Sequence, residues 1–290
     1  MIVTILEVVI PGLLLGGLYA LIAVGLSLQY GVARVLNISH GEFIMLGALT
    51  TWTSTTVFNI NPLAALAICG PAAFILGFVL HRTLFKRLFT TSASARVFEG
   101  HSMLASFGLL FIIQNLALIV WGSEIRAYNY LAVPVNLAGA LFGANRLVTL
   151  GFSLAIGLAF YLFIARTRTG KAIRAAAQDP VTAGLLGVNI DNVLALCFGF
   201  GAAMASIAGM LISLSYPVHA AMGLEYTIIA IIVVVLGGLG SIPGSFIGGF
   251  ILGLIGSIVT YFEPGLSLAA YYAIFILLLL VRPEGIMGKQ

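Results

Sequence analysis

The sequence predicts an all-helical protein that crosses a membrane several times. Hydrophobic residues make up 61% of the 290 residues, charged residues only 8%, and the mean hydropathy is +1.16. A soluble domain carries about a quarter charged residues, so this composition excludes one. Long apolar runs recur along the chain, and in hydrocarbon a helix satisfies its own backbone polar groups. We therefore predict a polytopic transmembrane helical bundle.

The apolar runs divide the chain into eight or nine membrane segments within a single transmembrane domain, 1–290. In 35–58 and 217–262 the residues Gly, Pro, Glu and His interrupt the runs, which predicts broken or re-entrant helices there. Glycines spaced four apart, as in Gly12-x-x-x-Gly16 and Gly249-x-x-x-Gly253, predict close helix packing within the chain. The candidate segments are about 8–28, 41–58, 63–81, 102–121, 147–165, 193–215, 225–239, 243–262 and 267–281.

Basic residues predict the orientation, because short cytoplasmic loops accumulate Lys and Arg. If the segments alternate, only Arg126 and Arg146 lie on one side. The C-terminus is then cytoplasmic, and with nine crossings the N-terminus is outside. These charges are divided among short loops, so no nucleic-acid partner is predicted. The basic residues predicted on the cytoplasmic side are Arg34, Arg82, Lys86, Arg87, Arg96, Arg166, Arg168, Lys171, Arg174, Arg282 and Lys289.

The motifs give no indication of enzymatic chemistry. The sequence has no Gly-x-x-x-x-Gly-Lys-Ser/Thr run, and the glycine-rich stretch 237–245 has no lysine to reach a phosphate. It also has no His-x-x-x-His or Cys-x-x-Cys pair to hold a metal. We therefore predict no catalytic residue, metal or cofactor, and any use of ATP would require a separate protein.

A polar segment at about 166–192 separates two apolar runs and is predicted to form two short helices. The first covers about 170–177. Asp179 ends it and caps the second helix, with Pro180 at its first position and Gly187 as its stop. The alternative is a basic amphipathic loop on anionic lipid. The second helix carries apolar and small residues, namely Val181, Ala183, Gly184, Leu185 and Leu186.

Ser39-His40-Gly41-Glu42 has two interpretations. As a capping box, Ser39 would accept from the third helical amide and Glu42 would reach back to the Ser39 amide. Alternatively, Glu42 is an ionisable group near the membrane that faces a transport pathway or a partner helix. The two roles are compatible. On the second interpretation, Ser39, His40 and Glu42 are candidate pathway residues.

A second interrupted helix is predicted near Met222-Gly-Leu-Glu-Tyr226. Gly41-Glu-Phe43 and Gly223-Leu-Glu-Tyr226 resemble related positions of two halves, where transporters place interrupted helices. Helix N-termini there would suit a substrate carboxylate, because their amides carry partial positive charge. For His219 the alternative is an ordinary interfacial residue. The further candidate pathway residues are Tyr216, His219, Glu225 and Tyr226.

Four runs resemble permease subunits of the branched-chain amino acid family of ABC importers, in the order of that family's patterns. The run 171–191 resembles their cytoplasmic loop, and 36–47, 235–249 and 282–285 resemble three further patterns. Together the runs span nearly the whole chain. The chain is most similar to the shorter of the two paired permeases.

The resemblance implies a bacterial inner-membrane assembly of two permeases, usually non-identical, two ATPase subunits and an extracytoplasmic solute-binding protein. The outer loop at about 122–146, with Glu124 and Arg126, is a candidate docking site for the binding protein. An ATP-independent channel or carrier, for example for urea, is the alternative. Gln178 stands where many relatives carry Glu. The ATPase-coupling residues implied by the resemblance are Lys171, Arg174, Ala176, Gln178, Asp179, Val181, Gly184, Leu185 and Gly187.

Overall fold

The structure, a computed structural model, describes residues 2–288, and these form twelve α-helices and one small hairpin. A π-helical turn, His81–Phe85, joins α3 to α4, and β1 (Pro134–Leu137) pairs antiparallel with β2 (Ala140–Gly143). The helices are α1 (Ile2–Ala33), α2 (His40–Thr56), α3 (Leu66–Leu80), α4 (Lys86–Thr91), α5 (Ala95–Trp121), α6 (Ala144–Arg166), α7 (Arg168–Gln178), α8 (Pro180–Leu185), α9 (Ile190–Ser213), α10 (Gly223–Gly237), α11 (Ile242–Phe262) and α12 (Ser267–Val281).

Among residues 2–288, seven helical segments are long and apolar enough to cross a membrane. They contain α1, α3 with α4, α5, α6, α9, α11 and α12. The other two predicted segments form the shorter helices α2 and α10, of 17 and 15 residues. Both short helices lie in the regions predicted to be broken. The predicted polytopic helical bundle is confirmed.

The centre of the bundle is formed by α1, α2 and α9. In the most apolar window of α9, 83% of residues are buried, against 22% in α5 and 6% in α12. The helix α1 packs along α11, where a Cβ on Gly253 would lie 2.2 Å from the Gly16 amide nitrogen. The predicted glycine contact within the chain is therefore present. The outer helices α5, α6 and α12 leave large apolar surfaces for lipid or other subunits.

One end of the bundle collects the basic residues at the end of α1, those between 82 and 96, those between 166 and 174, and Arg282 after α12. Lys86 Nζ lies 2.7 Å from Asp191 Oδ2, and the Ile286 amide donates to the Leu236 carbonyl at 2.9 Å. We call this the basic end. It contains every predicted cytoplasmic basic residue except Lys289, which lies outside the described residues. Arg126 and Arg146 lie at the opposite end, where Asn145 Nδ2 donates to the Leu214 carbonyl.

The loop at the opposite end is tied to the connection between α9 and α10. The amide and carbonyl of Arg126 each bond to Val218 at 2.8 Å, and the Arg126 guanidinium lies 4.2 Å from the Trp52 ring centre. Tyr128 Oη lies 2.9 Å from Ser213 Oγ, and burial raises the pKa of Tyr128 to about 12. Arg126 thus holds the loop in place, whereas Glu124 is exposed.

Candidate functional site

At the basic end, α7 and α8 form a compact projection, here called the α7–α8 knob (Arg168–Leu186). Thr167 Oγ1 accepts from the Gly170 amide at 3.0 Å and starts α7. Asp179 Oδ1 accepts from the Val181 amide at 2.9 Å, with Pro180 at the first position of α8. These local contacts confirm the predicted two helices and their boundary.

The knob exposes a cluster of apolar side chains at the basic end. Val181, Leu185 and Leu186 are 72%, 84% and 81% exposed. Gly187 has φ +87°, a left-handed backbone that favours glycine, and it turns the chain after α8 as predicted. Lys171, Arg174, Gln178, Asp179 and Gly184 are also exposed. Ala176 differs from this set, because it is 2% exposed and packs into the core.

The start of α2 meets the start of α10 inside the bundle. A Cβ on Gly41 would lie 1.8 Å from the Gly223 carbonyl oxygen, so only glycine allows this approach. The Gly41 amide donates to Thr227 Oγ1 at 2.8 Å, and Thr227 Oγ1 donates to the Ile38 carbonyl at 3.1 Å. The two glycines of the predicted related positions thus lie against each other, at what we call the α2–α10 junction.

The predicted capping box at Ser39 is wrong. The Ser39 hydroxyl donates to Asn37 Oδ1 at 2.7 Å, and the Ser39 amide donates to the same oxygen at 3.2 Å. The side chain of Ser39 makes no cap bond to α2. The carboxamide oxygen of Asn37 replaces the expected capping partners in α2, because it lies only two residues from Ser39 and can accept from both the hydroxyl and the amide of Ser39.

Glu42 and His40 lie at the α2–α10 junction with no exposed surface. His40 Nε2 donates to the Ile22 carbonyl at 3.1 Å. Neither carboxyl oxygen of Glu42 has a hydrogen-bond partner among residues 2–288, and a Cβ on Gly223 would lie 2.3 Å from Glu42 Oε1. The positive end of α10 is therefore the nearest compensation for this carboxyl group.

The predicted pathway residues separate into two groups. Ser39, His40 and Glu42 are fully buried at the α2–α10 junction. Tyr216, Tyr226 and His219 retain partial exposure, and Glu225 is exposed on the first turn of α10. The second group therefore has accessible surface in this conformation, whereas the bundle encloses the first group completely.

Sequence reasoning missed the buried polar side chains that support α2. Asn37 Nδ2 donates to Gln29 Oε1 at 3.3 Å, and Gln29 Nε2 donates to the Phe198 carbonyl at 3.3 Å. Ser106 Oγ accepts from the Ile38 amide at 3.1 Å. Each of these polar residues interrupts an apolar run, which is the signal that could have identified them.

Comparison with known proteins decides which class of membrane protein this fold belongs to. A family model described as the permease component of branched-chain amino acid transport systems matches residues 8–281. The chain belongs to this permease family. The resemblance inferred from the four sequence runs is thereby confirmed.

Curated relatives of the family match along nearly the whole chain. The Escherichia coli K12 high-affinity branched-chain amino acid permease LivH is 32% identical over 301 residues, covering 98% of this chain and 96% of LivH. BraD of Pseudomonas aeruginosa is 29% identical, with the same coverage. The probable permease LivM of Methanocaldococcus jannaschii is 24% identical, covering 94% of this chain and 91% of LivM. This permease is thus a multi-pass inner-membrane protein.

Proposed function

We propose that this permease is the membrane-spanning subunit of an ATP-driven ABC importer for branched-chain amino acids or related small polar or carboxylate solutes. Two separate ATPase subunits hydrolyse ATP and drive the permease between outward and inward access. The single observation that carries the ATP-driven mechanism is the α7–α8 knob, with three exposed apolar side chains at the basic end. The membership of the permease family supports the transport role.

The knob has the composition of a docking surface. Val181, Leu185 and Leu186 are too exposed to stabilise this chain, and clustered exposed apolar residues mark interaction sites. Lys171 and Arg174 are exposed on α7 of the same knob, and their charges can attract acidic groups at the rim of a groove. An ATPase with an apolar groove and an acidic rim would complement both features.

The basic end is the cytoplasmic end in this proposal. Positive residues accumulate on the cytoplasmic side of membrane proteins. The last described segment of the chain, 282–288, lies at this end. The C-terminus is then cytoplasmic. The outer loop at the opposite end becomes available to an extracytoplasmic solute-binding protein, with exposed Glu124 as a candidate contact.

A second permease completes the pathway. The similarity to both LivH and LivM, two different permease proteins, favours a heterodimer of related subunits. The exposed apolar sides of α5 and α12 provide surface for such a partner.

Leu185→Asp tests the docking role. Leu185 contributes little to the fold, so the variant is expected to accumulate normally but to lose co-purification with the ATPases and ATP-driven leucine uptake. Thr90→Asp places the same charge on an exposed residue at the same end and is expected to behave like the wild type. Normal ATPase binding by Leu185→Asp would refute the proposed surface.

The rival function is an ATP-independent channel or carrier, which the family membership does not favour. Reconstitution of this chain alone in liposomes separates the two, since the importer requires ATP and its partner subunits. Leucine or urea flux through the chain alone would exclude the importer. Ligand binding by the cognate solute-binding protein, measured over amino acids, amides and aromatic acids, would then identify the cargo.

A further inference from the structure

Two adjoining cavities lie between α1, α6 and α11 near the basic end, and the first of them reaches α7. One has a volume of about 520 Å³ and lies between the end of α1, α6, α7 and the start of α11. The other, about 460 Å³, is a groove between α6 and α11 that continues into the apolar part of the bundle. Tyr161, Ile242 and Pro243 line both cavities, so the two adjoin each other and offer a polar part and an apolar part side by side.

The polar part is built to hold an anion. Arg34 and Arg174 line it, and no Asp or Glu is among its described lining residues. Ser241, which caps α11 by accepting from the Gly244 amide at 3.1 Å, places the positive end of that helix at the same cavity. Ser27 also lines it, and its fully buried hydroxyl has no hydrogen-bond partner among residues 2–288.

The apolar part suits a hydrocarbon chain. Apart from the shared Tyr161, it is lined by Val24, Leu154, Gly157, Leu158, Phe246 and Ile247, together with Ile242 and Pro243. Gly157 lies on the buried side of α6, where a Cβ would come within 2.8 Å of the Phe246 ring, so glycine keeps the two helices close. The groove has no charged lining residue.

We propose that this site binds one anionic phospholipid, with its phosphate in the polar part and one acyl chain in the groove. A free phosphate would leave the apolar groove unused, and a zwitterionic lipid would leave the excess positive charge uncompensated. Basic pockets between membrane helices on the cytoplasmic side bind anionic lipid headgroups through their positive charges, as Arg34 and Arg174 would here.

The bound lipid would connect the membrane to the α7–α8 knob, because Arg174 belongs to α7. Arg174 already donates to the Ala165 carbonyl at 3.2 Å, which holds its side chain over the end of α6. The lipid site depends on the proposed membrane placement of the basic end, and it shares Arg174 with the proposed docking surface but does not require a bound ATPase. It can therefore stand if the proposed importer mechanism fails.

Native mass spectrometry of the full-length permease, purified from vesicles of mixed phosphatidylglycerol and phosphatidylcholine, tests the site. The wild type is expected to retain one phosphatidylglycerol in preference to phosphatidylcholine. Arg34→Asn and Arg174→Gln are each expected to reduce that preference about fivefold, the effect expected for one basic residue near an anionic surface. Asn tolerates the positive φ of residue 34, which is +55°, and Gln preserves the helix propensity of α7.

Two further variants separate a lipid site from general charge attraction. Arg96→Gln removes an exposed charge from the basic end outside the cavity and is expected to leave lipid retention unchanged. Leu158→Trp fills the groove without changing charge and is expected to reduce lipid retention. Equal loss in Arg96→Gln, unchanged retention in Leu158→Trp, or displacement of the lipid by equimolar inorganic phosphate would overturn the proposal.

Discussion

The α2–α10 junction and the α7–α8 knob distribute polar and apolar groups in opposite ways. At the junction, Glu42 and His40 are completely buried within an apolar bundle. At the knob, the apolar side chains of Val181, Leu185 and Leu186 are exposed at the basic end. Each region thus departs from the usual arrangement, in which ionisable side chains lie at the surface and apolar side chains lie in the interior.

The difference separates contacts made within the chain from contacts that await another molecule. At the junction, Gly41, Gly223 and Thr227 pack in direct contact, so its geometry is determined by this chain. The apolar face of α8 has no such neighbours, and its exposed area gains stability only when a partner covers it. Substitutions that disturb the packing of the junction should therefore affect the fold, and substitutions of the exposed side chains of the knob should affect assembly.

Gly41→Ala is expected to have the largest effect. Its methyl group would lie 1.8 Å from the Gly223 carbonyl oxygen and 2.4 Å from Thr227 Oγ1, so α2 and α10 must separate. We expect destabilisation at the upper end of the ~1–3 kcal/mol range for overpacking, measured by thermal unfolding of the purified chain. Gly108→Ala in α5 is the control, since no atom lies within 4 Å of its added methyl group. Equal melting temperatures would show that the junction is not tightly packed.

Glu42→Gln tests whether the junction has a function beyond packing. Gln has nearly the same shape and removes an ionisable group without a hydrogen-bond partner, so we expect an unchanged or higher melting temperature. We also expect ATP-driven leucine uptake to fall about tenfold, because an ionisable group kept within the membrane generally has a function. Glu99→Gln, at an exposed position of α5, should retain uptake. Normal uptake by Glu42→Gln would make Glu42 a packing residue only.

Lys171→Glu should affect the knob without affecting the fold. Lys171 is exposed, so the free energy of unfolding is expected to stay within about 0.5 kcal/mol of the wild type. ATP-driven uptake should fall roughly two- to fivefold, and more strongly at low salt, because rim charges act through long-range attraction. Arg87→Glu makes the same charge change at the basic end outside the knob. A matching loss in Arg87→Glu would assign the effect to the overall charge of this end.

Asp179→Ala should have the smallest effect, limited to α8. Hydrogen bonds from the Thr182 hydroxyl and then the Thr182 amide hold the pKa of Asp179 below its usual range. The cap therefore stabilises α8 above the unfolded pKa of about 3.9 and is lost as the pH falls through the lower folded value. Hydrogen exchange at the Val181 and Thr182 amides measures this: the variant should exchange faster at neutral pH, and the difference should disappear in acid. A difference that persists in acid would contradict the role of the carboxylate.

Sequence reasoning succeeded where short-range signals determine structure. Asp179-Pro180 ends one helix and starts the next through contacts within three residues, and the structure has that boundary. The apolar runs predicted every long helix because length and hydropathy are local properties. The basic loops predicted which residues gather at one end.

Sequence reasoning failed where two equivalent local contacts compete or where distant segments of the chain meet. Ser39 could cap α2 or bond to Asn37, and the sequence contains no information on which geometry is reached. The approach of Gly41 to Gly223 joins positions 182 residues apart in the chain, so no pattern within either segment predicts it. The similar surroundings of Gly41 and Gly223 in the sequence suggested that they are equivalent positions of two halves. That these two glycines touch each other is seen only in the structure.

The short length of α10 has a consequence for membrane insertion. Its 15 residues rise about 22 Å, at 1.5 Å per residue, which is less than the roughly 30 Å of a hydrocarbon core. Any non-helical chain beside α10 that lies at membrane depth can have its peptide groups satisfied only by the surrounding protein. A translocon that releases helices individually into lipid would therefore have to retain α10 until α1, α2 and α11, the helices it packs against, can receive it.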